Sequence, residues 1–317
     1  MALVSIPSNP IPDGAIDGRI KASDGAELRF ARWPAGDVKR QGTVCIFPGR
    51  AEMIEKYFEV VSELRERGFA VAVLDWRGQG GSSRVLADPR KGHVGDFGEY
   101  QLDLDAFMKQ IVLPDCPPPY FGLAHSMGAA NLLRAMHEER RWFERIVLCA
   151  PMVDLRIKRW PTVVRYFTRF MSAIGFGHRY IPGGSAVAVT NRAFAGNPVS
   201  SDPVRYERIA SIVEADASLG LGSPTYSWIS AAFRQIDEFV EPEYPGKLRQ
   251  PILILGAGDD RLVSTAASEK FAIRLRAGAI SIIPGSRHEI LLERDAIRSQ
   301  FWAAFDAFIP GSAVQQR

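Results

Sequence analysis

One serine stands among small residues where an apolar run gives way to a helix-forming one, in the stretch FGLAHSMGAA from Phe121 to Ala130. A sharp strand-to-helix turn needs small residues two before and two after its corner, and here they are Ala124 and Gly128, where the usual pattern has glycine at both. Ser126 at such a corner is a candidate nucleophile. A hydroxyl attacks only when a base takes its proton, and that base needs a third group to orient it. Among the five histidines, His125 adjoins the serine and is expected to point away across the turn. His137 ends the following helix, His178 lies in an irregular stretch, and His93 sits in a loop. His288 directly follows an apolar run ending in Pro284-Gly285 and is the best placed base. The orienting carboxylate is expected after the preceding apolar run, where Asp259 and Asp260 are adjacent and spacing does not choose between them.

These groups must be held by strand ends. A hairpin is expected around Asp24-Gly25. Apolar strands at 43–47, 70–76, 120–124 and 145–149 then alternate with helices at 54–67, 98–111 and 127–137. From 152 to about 249 the alternation stops, with helical patches at 162–174 and 205–213. It resumes with strands at 252–255 and 279–283 and helices at 264–276 and 295–308. Continuous apolar strands between amphipathic helices indicate a mostly parallel sheet covered on both faces. The division expected is an N-terminal arm (1–17), a first part of the core (18–151), an inserted cap (152–249) and a second part of the core (250–317).

At 317 residues with a net charge of +3, no global field favours nucleic acid. Cys45, Cys116 and Cys149 cannot all pair and are expected as reduced core residues of an intracellular protein. The first residues, MALVSIPSNPIPDG, lack a secretory pattern and read as a Pro-rich arm. No run of 18 apolar residues suggests a membrane span.

Several stretches together resemble the α/β-hydrolase superfamily, and within it the bacterial lysophospholipase and monoacylglycerol lipase group, which sequence also groups with S33 serine aminopeptidases. They are Phe47-Pro48-Gly49-Arg50-Ala51-Glu52, the run from Asp75 to Ser82, Gly92-His93-Val94 with Phe97 and Tyr100, Ala124 to Gly128, and His288-Glu289-Ile290-Leu291. Asn197 to Asp202 and Gly222 to Tyr226 are similar to the bacterial lysophospholipases in particular. The resemblance covers about residues 18 to 308 and implies an α/β-hydrolase fold with an inserted helical cap. The chain order serine, aspartate, histidine agrees with it. It also implies Asp260, in Asp260-Arg261-Leu262-Val263, as the acid, with Asp259 as the runner-up. The oxyanion donors it implies are the backbone N–H groups of Met127 and Arg50. Asp75 and Arg77 are expected to form a buried ion pair in a turn, and Glu52 and His93 to be satisfied loop residues.

The activity expected is that of a serine hydrolase without cofactor or metal. It would cleave a carboxylic ester of a lipid with one acyl chain, a lysophospholipid or monoacylglycerol, through an acyl-enzyme. The stripe Trp160, Val163, Phe167, Phe170, Met171 and Ile174 is expected either to wall the acyl chain or to pack the cap onto the sheet. Arg156, Lys158, Arg159, Arg165 and Arg169 beside these aromatics suggest peripheral contact with the inner membrane face of a cytoplasmic protein. The alternatives are a small-molecule carboxylesterase, an aminopeptidase using Glu207, Glu214, Asp216, Asp237 or Glu238 for the amine, or a non-catalytic binding protein.

Overall fold

A computed structural model describes residues 2–36, 39–157 and 159–312. The first part of the chain forms β1 (Ile16–Lys21), β2 (Glu27–Trp33), β3 (Gly42–Phe47), α1 (Phe58–Glu66), β4 (Phe69–Leu74) and α2 (Gly98–Phe107). Through a π-turn α2 reaches the one-turn α3 (Leu113–Asp115), followed by β5 (Tyr120–His125), α4 (Ser126–His137) and β6 (Arg145–Cys149). Four helices follow: α5 (Pro161–Met171), α6 (Pro203–Ala215), α7 (Tyr226–Val240) and α8 (Tyr244–Lys247). The chain then returns with β7 (Ile252–Ala257), α9 (Thr265–Ala272), β8 (Gly278–Ile283) and α10 (Asp295–Phe308).

The strands form one sheet in the order β1-β2-β4-β3-β5-β6-β7-β8, antiparallel at β1/β2 and β2/β4 and parallel from β4 to β8. Every residue of β3, β4 and β7 is buried, as expected of strands covered on both faces. From β3 the chain steps to β4 on one side and later to β5 on the other. That reversal opens a crevice beyond the C-terminal ends of β3 and β5. Although α5 to α8 stand between β6 and β7 in sequence, the two strands are direct neighbours, Val147 opposite Leu253.

The N-terminal residues are docked rather than a loose arm. Leu3 is buried, the Val4 N–H donates to Glu55 Oε1 at 3.1 Å, and Asn9 Nδ2 donates to the Glu55 carbonyl at 2.9 Å. Asp75 and Arg77 do not pair with each other. Arg29 binds Glu55 and Asp75, whereas Arg77 binds Asp103 and Asp24. Asp75 also accepts from the Ile54 and Gly81 N–H groups, so both ion pairs brace loops beneath the crevice. Cys45, Cys116 and Cys149 are free and buried.

Candidate active site

β5 ends at His125 and α4 begins at Ser126, whose φ of 48° is rare for a residue with a side chain. The two flanking positions explain the departure from paired glycines. A Cβ on Gly128 would lie 2.2 Å from the Phe47 carbonyl oxygen, so only glycine fits. At Ala124 the methyl is accommodated in the core, 1% exposed.

Ser126 Oγ lies 3.0 Å from His288 Nε2, and His288 Nδ1 lies 2.8 Å from Asp260 Oδ2. A carboxylate only accepts, so Nδ1 carries a proton and Nε2 of the neutral ring accepts from the serine. The other Asp260 oxygen accepts from the Leu262 and Val263 N–H groups at 2.8 and 3.0 Å. Burial pushes the Asp260 carboxyl up, but the hydrogen bond and charge of His288 and the two amides outweigh it and hold it below the usual range. Asp259 is exposed, and its N–H donates to the Ser286 carbonyl at 2.8 Å. Of the two aspartates, Asp260 is the one that reaches His288.

The loop after β3 is tied at nearly every backbone group. Trp76 Nε1 donates to the Pro48 carbonyl at 2.9 Å, and Gln79 Nε2 donates to the Gly49 carbonyl at 2.7 Å. Gln79 Oε1 accepts from the Ala51 N–H at 3.1 Å, and Glu52 Oε2 from the Gly49 N–H at 2.5 Å. The Arg50 N–H has no partner among the described residues. Met127 lies in the first turn of α4, where N–H groups lack intrahelical acceptors. The strapping by Trp76 and Gln79 was not anticipated, although both stand in the Asp75–Ser82 motif.

His125 also has a larger part than its sequence position suggested. Its Nδ1 lies 2.6 Å from Glu52 Oε1 and its Nε2 3.2 Å from the His288 carbonyl oxygen. Both partners are acceptors, so both ring nitrogens donate and the ring is an imidazolium. Burial pulls this imidazolium down, but the charges of Glu289 and Glu52 raise it overall. Lys56 stands 2.7 Å from Glu52 and 2.5 Å from Glu289, and Tyr57 donates to Glu52 at 2.6 Å. Glu52, His125 and Glu289 have metal-ligand spacing, within 4.8 Å of one another. The Lys56 ammonium among them supplies the charge a cation would bring. Glu52 is thus the satisfied loop carboxylate expected, and His93 is held by Thr225 Oγ1 at 3.0 Å.

A cavity of about 780 Å³ opens onto Ser126 and His288, walled by apolar groups including Met152, Leu155, Ile181, Val199, Ile209 and Leu292. The expected acyl wall on α5 is not part of it. Trp160 and Phe170 are 65% and 59% exposed, and Val163, Phe167 and Ile174 are exposed as well. Nor does the stripe pack onto the sheet; on α5 only Thr168 is buried. Arg165 and Arg169 both bind Asp237 on α7, which ties them down, while Lys158 lies outside the described residues. None of Glu207, Glu214, Asp216, Asp237 and Glu238 lines the cavity.

The Asn197–Asp202 loop braces the segment after His288. The Glu289 N–H donates to the Val199 carbonyl at 2.8 Å, and Ser200 Oγ donates to the Leu292 carbonyl at 2.7 Å. Among the described residues, no helix is long and apolar enough to cross a membrane.

The chain is similar to known proteins. Lysophospholipase L2 of Escherichia coli K12 is 33% identical over 286 residues, covering 87% of this chain and 82% of the relative. The probable lysophospholipase L2 of Haemophilus influenzae is 26% identical over 261 residues, covering 82% and 81%. A soluble variant of monoglyceride lipase from Saccharomyces cerevisiae, solved with a substrate analogue, superposes with a TM-score of 0.73 at 19% identity over 93% of this chain and 95% of that one. Residues 38–295 match the serine aminopeptidase S33 family, and with the lysophospholipase L2 relatives the match makes the chain a member of that family, with the α/β-hydrolase fold.

Proposed function

We propose that Ser126 is the nucleophile, His288 the general base and acid, and Asp260 the group that orients it. The chain is a carboxylic ester hydrolase that acts on lipid esters. The observation that carries the residue roles is the hydrogen-bonded chain from Ser126 through His288 to Asp260 at the mouth of an apolar cavity. Ser126 Oγ attacks the ester carbonyl while its proton passes to His288 Nε2. The carbonyl oxygen, now negative, sits against the N–H groups of Arg50 and Met127. The tetrahedral intermediate collapses, His288 gives its proton to the leaving alkoxide, and the acyl chain stays on Ser126. Water then attacks the acyl-enzyme with His288 again taking the proton, and the second intermediate expels Ser126 Oγ, which takes that proton back as the fatty acid leaves.

An ester suits the cavity better than a peptide amine. Its acids, Glu52 and Glu289, are held by Lys56 and His125, and an aminopeptidase would need one free to bind the substrate's ammonium. Residues 152–249 act as the cap, and the exposed face of α5 rests on the surface of the inner membrane of a cytoplasmic protein. A fluorophosphonate probe tests the nucleophile: it should label Ser126, and labelling elsewhere, or none, would sink the assignment.

A further inference from the structure

Two carboxylates line the cavity, and both are neutralised by Lys56 and His125. Arg50 and Arg192 line the same cavity, and among the described residues neither has a carboxylate within ion-pair reach. The Arg50 guanidinium is built into place without an acid. Its Nη2 donates to the Gly222 carbonyl, its face lies 5.4 Å from the Trp228 ring centroid, and Nε is buried without a partner. Gly92 leaves room for it; a Cβ there would come within 2.6 Å of Nη2. A guanidinium withdrawn from water with no counter-charge is a standing cost, and a bound anion removes it.

We infer that Arg50, assisted by Arg192, forms a subsite for the phosphate of a lysophospholipid headgroup, so that the cavity favours phosphate-bearing lipids over neutral monoacylglycerols. This rests on the proposed ester chemistry at Ser126, because the Arg50 backbone N–H is also the proposed donor to the ester carbonyl. From that N–H the side chain reaches about 7 Å to its guanidinium. In a 1-acyl lysophospholipid about six covalent bonds separate the ester carbonyl carbon from phosphorus, a span of roughly 6 to 8 Å when extended. One residue therefore meets both ends of the glycerol unit. The planar fork of arginine suits phosphate oxygens, whereas a monoacylglycerol offers a neutral hydroxyl at that point.

The test is a binding comparison in the Ser126→Ala protein, by calorimetry below the lipids' aggregation limits. The ligands are a short-chain 1-acyl lysophosphatidylglycerol, the monoacylglycerol with the same chain, and glycerol 3-phosphate. The lysophospholipid should bind about 10- to 100-fold more tightly than the monoacylglycerol. Arg50→Met should bring that ratio close to one, and Arg192→Met should lower it several-fold. Equal affinity for the two lipids, or a preference that survives Arg50→Met, would overturn the subsite. Glycerol 3-phosphate binding as tightly as the lysophospholipid would mark a site for free phosphate and overturn the headgroup assignment. Should Arg50→Met fail to fold, Arg50→Lys and Arg192→Met carry the comparison, and an unchanged ratio in both overturns it. Hydrolysis that persists in Ser126→Ala would remove the serine mechanism while leaving the binding comparison intact.

Discussion

The loops at the ends of β3, β5, β7 and β8 and the segment between β6 and β7 dispose their side chains in opposite ways. At the strand ends, Ser126, His288 and Asp260 are buried, and backbone or side-chain hydrogen bonds fix each neighbour. On α5 the large side chains are exposed and the one buried residue is Thr168. Chemistry needs groups fixed to fractions of an ångström, and only packed strand ends provide that. The membrane contact proposed for α5 needs apolar area left open. The same chain therefore spends its order on one region and its exposed hydrophobicity on the other.

The sharpest break in that comparison comes at the nucleophile. Ser126→Ala and His288→Ala should each lower kcat about 10³-fold or more with the melting temperature little changed. Retained turnover in a folded variant would mean that the rigid region is not the reaction centre. Next in size is the aspartate pair. Asp260→Asn should cost about 10²- to 10⁴-fold by leaving His288 in the wrong tautomer. Asp259→Asn should cost less than about threefold, and the reverse ranking would transfer the role.

His125 tests the rigidity itself. Its folded pKa is raised, so its contribution to stability is complete below the unfolded value of about 6.5 and is lost as pH rises through the folded value. Wild-type protein should therefore lose melting temperature on the alkaline side, and His125→Asn should lack that part of the loss. Identical pH profiles would argue against a buried imidazolium. The smallest effect belongs to α5. Trp160→Ser with Phe170→Ser should change stability by no more than about 0.5 kcal/mol per site. It should weaken binding to anionic vesicles several-fold while a soluble short-chain ester is cleaved at near wild-type rate. Vesicle binding that ignores both substitutions would leave the exposed face without a membrane role.

Much of the architecture could be read from the chain because its strands are continuous apolar runs, each bounded by turn residues. The sheet and its order of strands and helices followed from that pattern. α7 did not. Residues 217–233 carry no charge, and nearly every face of the helix meets protein, with Tyr226, Trp228, Phe233 and Ile236 all buried. The uncharged stretch begins before the helix, through Gly220, Gly222 and Pro224, and those breakers hide the helical pattern that follows. The α5 stripe failed in another way. Helical spacing reveals an apolar face but not what that face touches, and here the cavity wall comes from residues such as Ile181, Val199 and Ile209 instead. At the candidate site, chain order brought Ser126 and His288 to notice, since both follow apolar runs. Spacing could not separate Asp259 from Asp260, because adjacent residues point in different directions and only the folded loop shows which one reaches the ring. Its place beside Ser126 suggests only that His125 points away from it. The direction it does take, toward Glu52 and the His288 carbonyl, depends on a loop more than 70 residues earlier.

The position of the helical segment within the sheet also governs timing. Ser126 and His288 are 162 residues apart, and β8, the strand that His288 follows, comes after all of α5 to α8. At about 5 to 20 residues per second, a ribosome takes roughly 8 to 32 seconds to travel from one to the other. Throughout that interval the nascent chain holds a serine with no base to activate it. On the proposed mechanism, the newborn protein stays inert toward lipid esters until β8 takes its place beside β7 and brings His288 to Ser126.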